Sequence, residues 1–143
     1  MVILGDNIIE KSIRESLSRF KRQKDGAMIF LKKVNNPEEY GVAEIRGRRV
    51  VNIVEKPKRP RSNLAVLGIY MYDNLVFDII RTLKPSRRRE LEITDVNNAY
   101  IKDGSMRYEM LTGGWADAGE SINAYNDTIN FVRRRRAGKP GKR

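Results

Sequence analysis

The chain has 143 residues, 40% of them hydrophobic, with no cysteine and no histidine. That gives room for one globular domain with a sizeable core, and it excludes disulfides, thiol catalysis, and the commonest general base and zinc ligand. The net charge of +11 is uneven: residues 133–143, RRRRAGKPGKR, hold seven basic side chains and no acidic one, leaving +4 on the rest.

Met1 to Leu4 read as a short apolar core strand, and Gly5-Asp6-Asn7 as a turn into a helix. Ile9, Ile13, Leu17 and Phe20, spaced four, four and three, predict one helical face from Asn7 to about Lys24. Asp25-Gly26 then stops that helix. AMIFLKKV, from Ala27, predicts a compact strand, broken by Asn35-Asn36-Pro37. GVAEI and RVVNIVE flank Arg46-Gly47-Arg48 and predict a hairpin. KPKRPRSN, Lys56 to Asn63, is a loop, and AVLGIYMYD a strand in which Gly68 marks a close approach or a bulge. Val76, Ile79, Ile80 and Leu83 predict a helix ended by Pro85, and Ile93 to Gly104 a second one. MRYEML is a strand, TGGWADAGE a glycine-rich turn, and Ser121 to about Arg135 a last helix. The order β-α-β-β-β-β-α-α-β-α is α/β in character with a mixed sheet.

No apolar run reaches membrane-spanning length and no signal-peptide pattern opens the chain, so a cytoplasmic protein without a membrane partner is expected. Neither G-x-G-x-x-G nor G-x-x-x-x-G-K-[ST] occurs, so no familiar phosphate-cradling loop is present. Asp6 and Asp117 follow predicted strands and precede predicted helices. Two carboxylates plus phosphate oxygens are the usual way to hold Mg²⁺, and taken singly each aspartate reads more simply as a helix cap. Glu55-Lys56-Pro57 sets an acid and a base at a strand end. Glu55 could accept hydrogen bonds from sugar hydroxyls and Lys56 could meet a phosphate; solvated hairpin charges are the plainer reading. Arg87 to Arg89 could grip phosphate or simply be solvated. Gly41 after Tyr40 permits a ligand near the backbone, and Trp115 reads as a core anchor or a pocket wall. The arginine-rich end has no interleaved aromatic residue to stack bases, so nucleic acid is not an expected partner.

LGDN, YGVAEI, VEKPKRPRSNLAVLGIYMYD, LKPSRRRELEITDVNNAYI and WADAGESINAYN occur in one order with sensible gaps. Together they resemble the sugar-phosphate nucleotidyltransferases, in particular the glucose-1-phosphate thymidylyltransferase branch. The resemblance runs from Val2 to about Phe131. It implies a mixed-sheet, Rossmann-like (GT-A-like) α/β fold, incomplete at the N-terminus, since the half with the G-x-G-T-R-L loop and a catalytic lysine is absent. Residues 1–132 would be the C-terminal part of a nucleotidyltransferase domain and 133–143 a basic tail. By resemblance the reaction is attack of glucose 1-phosphate on dTTP, giving dTDP-glucose and pyrophosphate. The resemblance assigns Mg²⁺ to Asp6 and Asp117, both catalytic together with Lys56. It assigns sugar contacts to Tyr40, Gly41, Glu55, Val66 and Tyr70, and the sugar phosphate to Lys56 and Arg88. Two positions depart from the family pattern: Ala118 replaces a usual threonine, and Arg89 stands where glycine is common. The isolated chain is expected to be inactive, and to be a homo-oligomer or bound to a chain carrying the missing half. A non-catalytic sugar-nucleotide-binding or regulatory subunit is the alternative, and a small nucleic-acid binder driven by the tail is a third.

Overall fold

The hairpin at Gly47-Arg48 folds as its alternating pattern predicts, with Gly41 opposite Glu55 and Arg46 opposite Arg49. In chain order the elements are β1 (Val2–Ile3), β2 (Asn7–Ile9), α1 (Arg14–Arg22), β3 (Ala27–Lys33), β4 (Gly41–Arg46), β5 (Arg49–Glu55), β6 (Leu64–Tyr72), α2 (Val76–Thr82), α3 (Ile93–Asp103), β7 (Met106–Met110), β8 (Trp115–Asp117) and α4 (Ile122–Ala137). This computed structural model describes residues 1–86, 89–119 and 121–137. They fall into two units. One joins Met1–Ile3 to Ile13–Leu111, the other Leu4–Ser12 to Thr112–Arg143.

The first unit is built on a mixed sheet in the order β5-β4-β6-β3-β7, with β1 also on β6. Only β3 and β7 run parallel; the other pairs are antiparallel. The sequence signal at Gly68 is a bulge: Ile29 faces Tyr70, yet Leu31 faces Val66, so β6 carries the extra length. The core joins Ile29 and Leu31 of β3, Ala43 of β4 and Ile53 of β5 to Val96 and Tyr100 of α3. Within it, Tyr72 stacks between Tyr70 and Tyr100, at 5.9 and 5.6 Å. The hydroxyl of Tyr72 donates to Asn97 Oδ1 at 2.7 Å, and that of Tyr100 to Asp73 Oδ1 at 2.6 Å. Asp73 also accepts from the N–H groups of Gly26 and Leu75, so one carboxylate ties α3 to the chain entering β3 and to the start of α2.

β5 is an edge strand, and α3 closes part of that edge. Asn98 accepts from the Ile53 N–H at 3.0 Å and donates to the Ile53 carbonyl at 2.8 Å, as a neighbouring strand would. α3 ends at Gly104 in the left-handed conformation, φ 78°, the usual glycine stop.

Three expectations fail. No helix starts at Asn7. Asn7–Ile9 is a strand paired antiparallel with β8, Asn7 opposite Asp117 and Ile9 opposite Trp115. The four-four-three spacing therefore counted Ile9 wrongly, and α1 begins only at Arg14. Likewise the glycine-rich stretch before α4 is not all turn, because Trp115–Asp117 is the partner strand. Met1 to Leu4 form only a two-residue strand, and all four side chains are exposed. In the second unit Trp115 donates from Nε1 to Asn7 Oδ1 at 2.8 Å. α4 runs through Arg133, Arg134 and Arg135 to Ala137, and Arg135 bonds the Glu10 carbonyl at 3.1 Å and pairs with its carboxylate.

α1 is fastened to β7 by charge. Arg19 grips Glu109 through Nε at 2.6 Å and Nη2 at 2.8 Å, and Ser16 Oγ donates to the same carboxylate at 2.5 Å. The bonds from Arg19, and then from Ser16, hold Glu109 below the ordinary carboxylate range against the opposing effect of its partial burial. A carboxyl whose folded pKa is depressed contributes stability that is complete above its unfolded value, about 4.3, and is lost as pH falls through the folded value. Glu109→Gln should therefore lower the urea midpoint at neutral pH and leave a flatter acid limb below about pH 4. Equal acid limbs for wild type and variant would refute this role.

Candidate functional site

Four of the expected site residues meet at one end of the β4–β5 hairpin. Tyr40 and Gly41 open β4, Glu55 ends β5 opposite Gly41, and the Lys56 N–H donates to the Tyr40 carbonyl at 3.0 Å. Chain geometry sets this arrangement. Pro57 cannot continue the ladder, so the chain leaves the sheet directly after Lys56. Lys56 takes φ 41°, a left-handed conformation that costs a non-glycine residue on the order of 1–2 kcal/mol. Backbone strain of this kind clusters where a side chain must be aimed.

Glu55 is fixed rather than free. Thr94 Oγ1 donates to Glu55 Oε2 at 2.7 Å. A Cβ placed on Gly41 would lie 3.2 Å from the same oxygen and 3.6 Å from Thr94 Oγ1, so glycine at position 41 leaves room for this pair. Glu55 and Lys56 line a cavity of about 380 Å³, shared with Ser86, Glu92, Thr94, Asp95 and Asn98. Its charged groups are the carboxylates of Glu55, Glu92 and Asp95 and the exposed Lys56 ammonium, and Ser86, Thr94 and Asn98 add neutral polar groups. The carboxylates can accept from ligand hydroxyls, and Lys56 is the one cation here that could meet a phosphate.

The remaining expectations divide. Val66 and Tyr70 lie on the same face of β6 and do not line this cavity. Tyr70 is buried, stacked on Tyr72. Arg88 lies outside the described residues. Arg89, at the position where the family pattern has glycine, takes φ 64°, which is the conformation glycine adopts most cheaply. Thr94, Asp95, Asn98 and Glu92 were missed as site residues. For Glu92, Thr94 and Asp95 the signal was the ELEITD stretch, whose first helical turn faces the hairpin end; Asn98 lies one turn further on.

The two aspartates belong to the second unit. Neither is a helix cap: Asp6 lies in the turn before β2 and Asp117 ends β8, well ahead of α4. The ribbon brings them together, since Asn7 is opposite Asp117 and the Ala118 N–H donates to the Asp6 carbonyl at 2.9 Å. Asp6 Oδ1 accepts from Asn7 Nδ2 at 2.9 Å, and Asp117 Oδ1 accepts from the Gly119 N–H at 3.0 Å. A Cβ on Gly119 would collide with Asp6 Oδ2, so only glycine lets the carboxylate lie against that turn. Among the described residues no group of three or more acidic, histidine or cysteine side chains is gathered for a metal. Two carboxylates still suit Mg²⁺, which commonly binds one or two and completes its octahedron with phosphate oxygens and water.

Among the described residues, no helix is long and apolar enough to cross a membrane. The nucleotidyl transferase family model matches residues 1–135. A glucose-1-phosphate thymidylyltransferase from Neisseria meningitidis is 44% identical over 135 residues, covering 92% of this chain and 46% of its own length. The one from Mycolicibacterium smegmatis is 45% identical over 134 residues, covering 91% and 46%. A Bacillus anthracis structure described as a glucose-1-phosphate thymidylyltransferase in complex with a sucrose superposes with TM-score 0.86 at 46% identity, over 98% of this chain and 55% of that one. The chain thus spans about half the length of these relatives. The ordered motifs, the mixed α/β, Rossmann-like architecture and these likenesses agree, and the chain belongs to the nucleotidyl transferase family.

Proposed function

We propose that this chain supplies the sugar-phosphate-binding and Mg²⁺-binding parts of a glucose-1-phosphate thymidylyltransferase. In that reaction a phosphate oxygen of glucose 1-phosphate attacks the α-phosphorus of dTTP; dTDP-glucose forms and pyrophosphate leaves. The observation that carries the reading is the hairpin end, where Glu55 is held by Thr94 beside the strained Lys56 at a cavity of about 380 Å³. Glu55 accepts from sugar hydroxyls and Lys56 neutralises the sugar phosphate; Arg88, outside the described residues, is assigned to that phosphate by the resemblance alone. Tyr40 and Gly41 shape the backbone wall. No covalent intermediate is required, in keeping with a chain that has neither cysteine nor histidine. Catalysis then rests on orientation and on charge neutralisation at phosphorus. Mg²⁺, held by Asp6 and Asp117, would supply Lewis-acid stabilisation of phosphoryl oxygens.

The test of the reading is calorimetry of glucose 1-phosphate binding, then turnover with dTTP after adding a chain that carries the rest of the relatives' length. Saturable binding and restored turnover are expected; no binding of glucose 1-phosphate would defeat the proposal. Binding of dTDP-glucose without turnover in any combination would instead favour a non-catalytic sugar-nucleotide-binding subunit.

Gly119→Ala tests the metal carboxylates without replacing either of them. The added methyl must push Asp6 aside, so Mn²⁺ affinity, read by paramagnetic relaxation, should fall roughly tenfold, within the range of supporting-shell changes. Unchanged affinity would remove Asp6 from the metal site.

Assembly is expected as well. β1 pairs with β6 along one edge, and among the described residues no strand covers its other edge; Val2 and Ile3 are each 46% exposed. Open, apolar edges recruit partners. Light scattering at micromolar concentration should show a homodimer or larger species, or a complex with a chain carrying the rest of the relatives' length. A concentration-independent monomer would refute this.

A further inference from the structure

A second cavity, about 850 Å³, lies in the first unit where α1, the β4–β5 turn and β7 approach one another. It shares no lining residue with the cavity at Glu55 and Lys56. Five arginines line it: Arg19 and Arg22 from α1, Arg48 and Arg49 from the hairpin, and Arg107 from β7. Among the described residues its only acid is Glu109, and that carboxylate is already taken up by Arg19 and Ser16. Five arginines less one glutamate leave a net +4 on the lining. Among the described residues, none of Arg22, Arg48, Arg49 and Arg107 forms an ion pair.

A solvated arginine run on one element would need no explanation. Here three elements that are distant in sequence bring like charges to one concavity, against their mutual repulsion. The floor beneath them is apolar, with Met28 and Met106 both buried. Low-dielectric walls beneath one sign of charge concentrate the field on an incoming anion. Guanidinium forks match phosphate oxygens two at a time. One phosphate cannot engage four forks spread over three elements, whereas a chain of phosphates can, and the volume falls within the range of small-molecule sites.

We propose that the arginine-lined cavity between α1, the β4–β5 turn and β7 binds a small polyphosphate-bearing anion, at a site separate from the hairpin end. The proposal does not depend on the sugar-phosphate reading, because the two cavities have no residue in common.

Calorimetry with sodium tripolyphosphate on the full chain tests it. Wild type should show one saturable site. Arg22→Ala and Arg107→Ala should each weaken it roughly tenfold or more, in line with losing a charge-assisted contact, and the double variant should abolish it. Arg107→Lys, which keeps the charge and loses the fork, should fall between. Lys56→Ala, at the other cavity, and Arg134→Ala, on α4, should bind as wild type does. All these side chains are exposed, so thermal melts should show the variants folded. Absence of saturable binding would overturn the proposal, as would equal affinity for Arg22→Ala, Arg107→Ala and wild type, or loss of binding in Lys56→Ala. Displacement of tripolyphosphate by single-stranded RNA at equal phosphate concentration would likewise overturn it, assigning the arginines to nucleic acid.

Discussion

Tyr100→Ala should destabilise the chain by about 3–5 kcal/mol, the cost typical of truncating a buried aromatic side chain. Tyr100 is 2% exposed, packs its ring on Tyr72, and donates a hydrogen bond from its hydroxyl to Asp73. Removing the ring opens a void between α3 and the sheet and takes a donor from the carboxylate that joins α3 to Gly26 and Leu75. Against a total stability of roughly 5–15 kcal/mol, much of the folded population at physiological temperature is then at risk. Tyr100→Phe keeps the ring and loses only the bond to a charged acceptor, about 1.5–3 kcal/mol. Urea denaturation should rank wild type above Tyr100→Phe and Tyr100→Phe above Tyr100→Ala. Equal midpoints for the two variants would mean that the ring contributes nothing beyond its hydroxyl.

The same tyrosines add a loss of stability on the alkaline side. Burial, and then the bond to Asp73, raise the Tyr100 pKa well above the usual value, and burial does the same for Tyr72. Groups with raised folded pKa values contribute stability that is complete below the unfolded value, about 10 for tyrosine, and is lost as pH rises through the folded one. This tyrosine stack is part of what the sequence did not disclose. AVLGIYMYD announces a strand, and even the bulge at Gly68, but Tyr72 and Tyr100 lie on separate elements and nothing local pairs them.

Legibility in the sequence follows the range of the determining contact. The β4–β5 hairpin and α3 depend on neighbours within a few residues: a glycine turn, an apolar period, a glycine stop. β2 depends on β8, more than a hundred residues away, where Asn7 meets Asp117. Without that partner, Ile9, Ile13 and Leu17 present a sound helical period, and the strand is invisible. The candidate sites divide the same way. Tyr40, Gly41, Glu55 and Lys56 are close in sequence or paired across a hairpin, so a strand-end argument finds them. Thr94 joins Glu55 from α3, and only the folded chain shows that it orients the carboxylate. Asp6 and Asp117 were found through the motif order; the ribbon that brings them together, and the glycine at 119 that gives Asp6 its space, were not.

Lys56→Ala should weaken glucose 1-phosphate binding roughly tenfold to a hundredfold, the equivalent of losing about 1.5–3 kcal/mol from a charge-assisted contact. The charge alone does not explain why the side chain is placed there at the expense of backbone strain. At φ 41° lysine and alanine are strained alike, whereas glycine is not. Lys56→Gly should therefore be more stable than Lys56→Ala, by about 0.5–1.5 kcal/mol once the greater freedom of unfolded glycine is set against the relief. Both variants should lose glucose 1-phosphate to the same extent, because neither carries the ammonium. Calorimetry and urea denaturation of the three proteins separate the two contributions. If Lys56→Gly binds as wild type does, the lysine is not the phosphate ligand. If the two variants are equally stable, the left-handed turn stores no strain, and Pro57 alone dictates where the chain leaves the sheet.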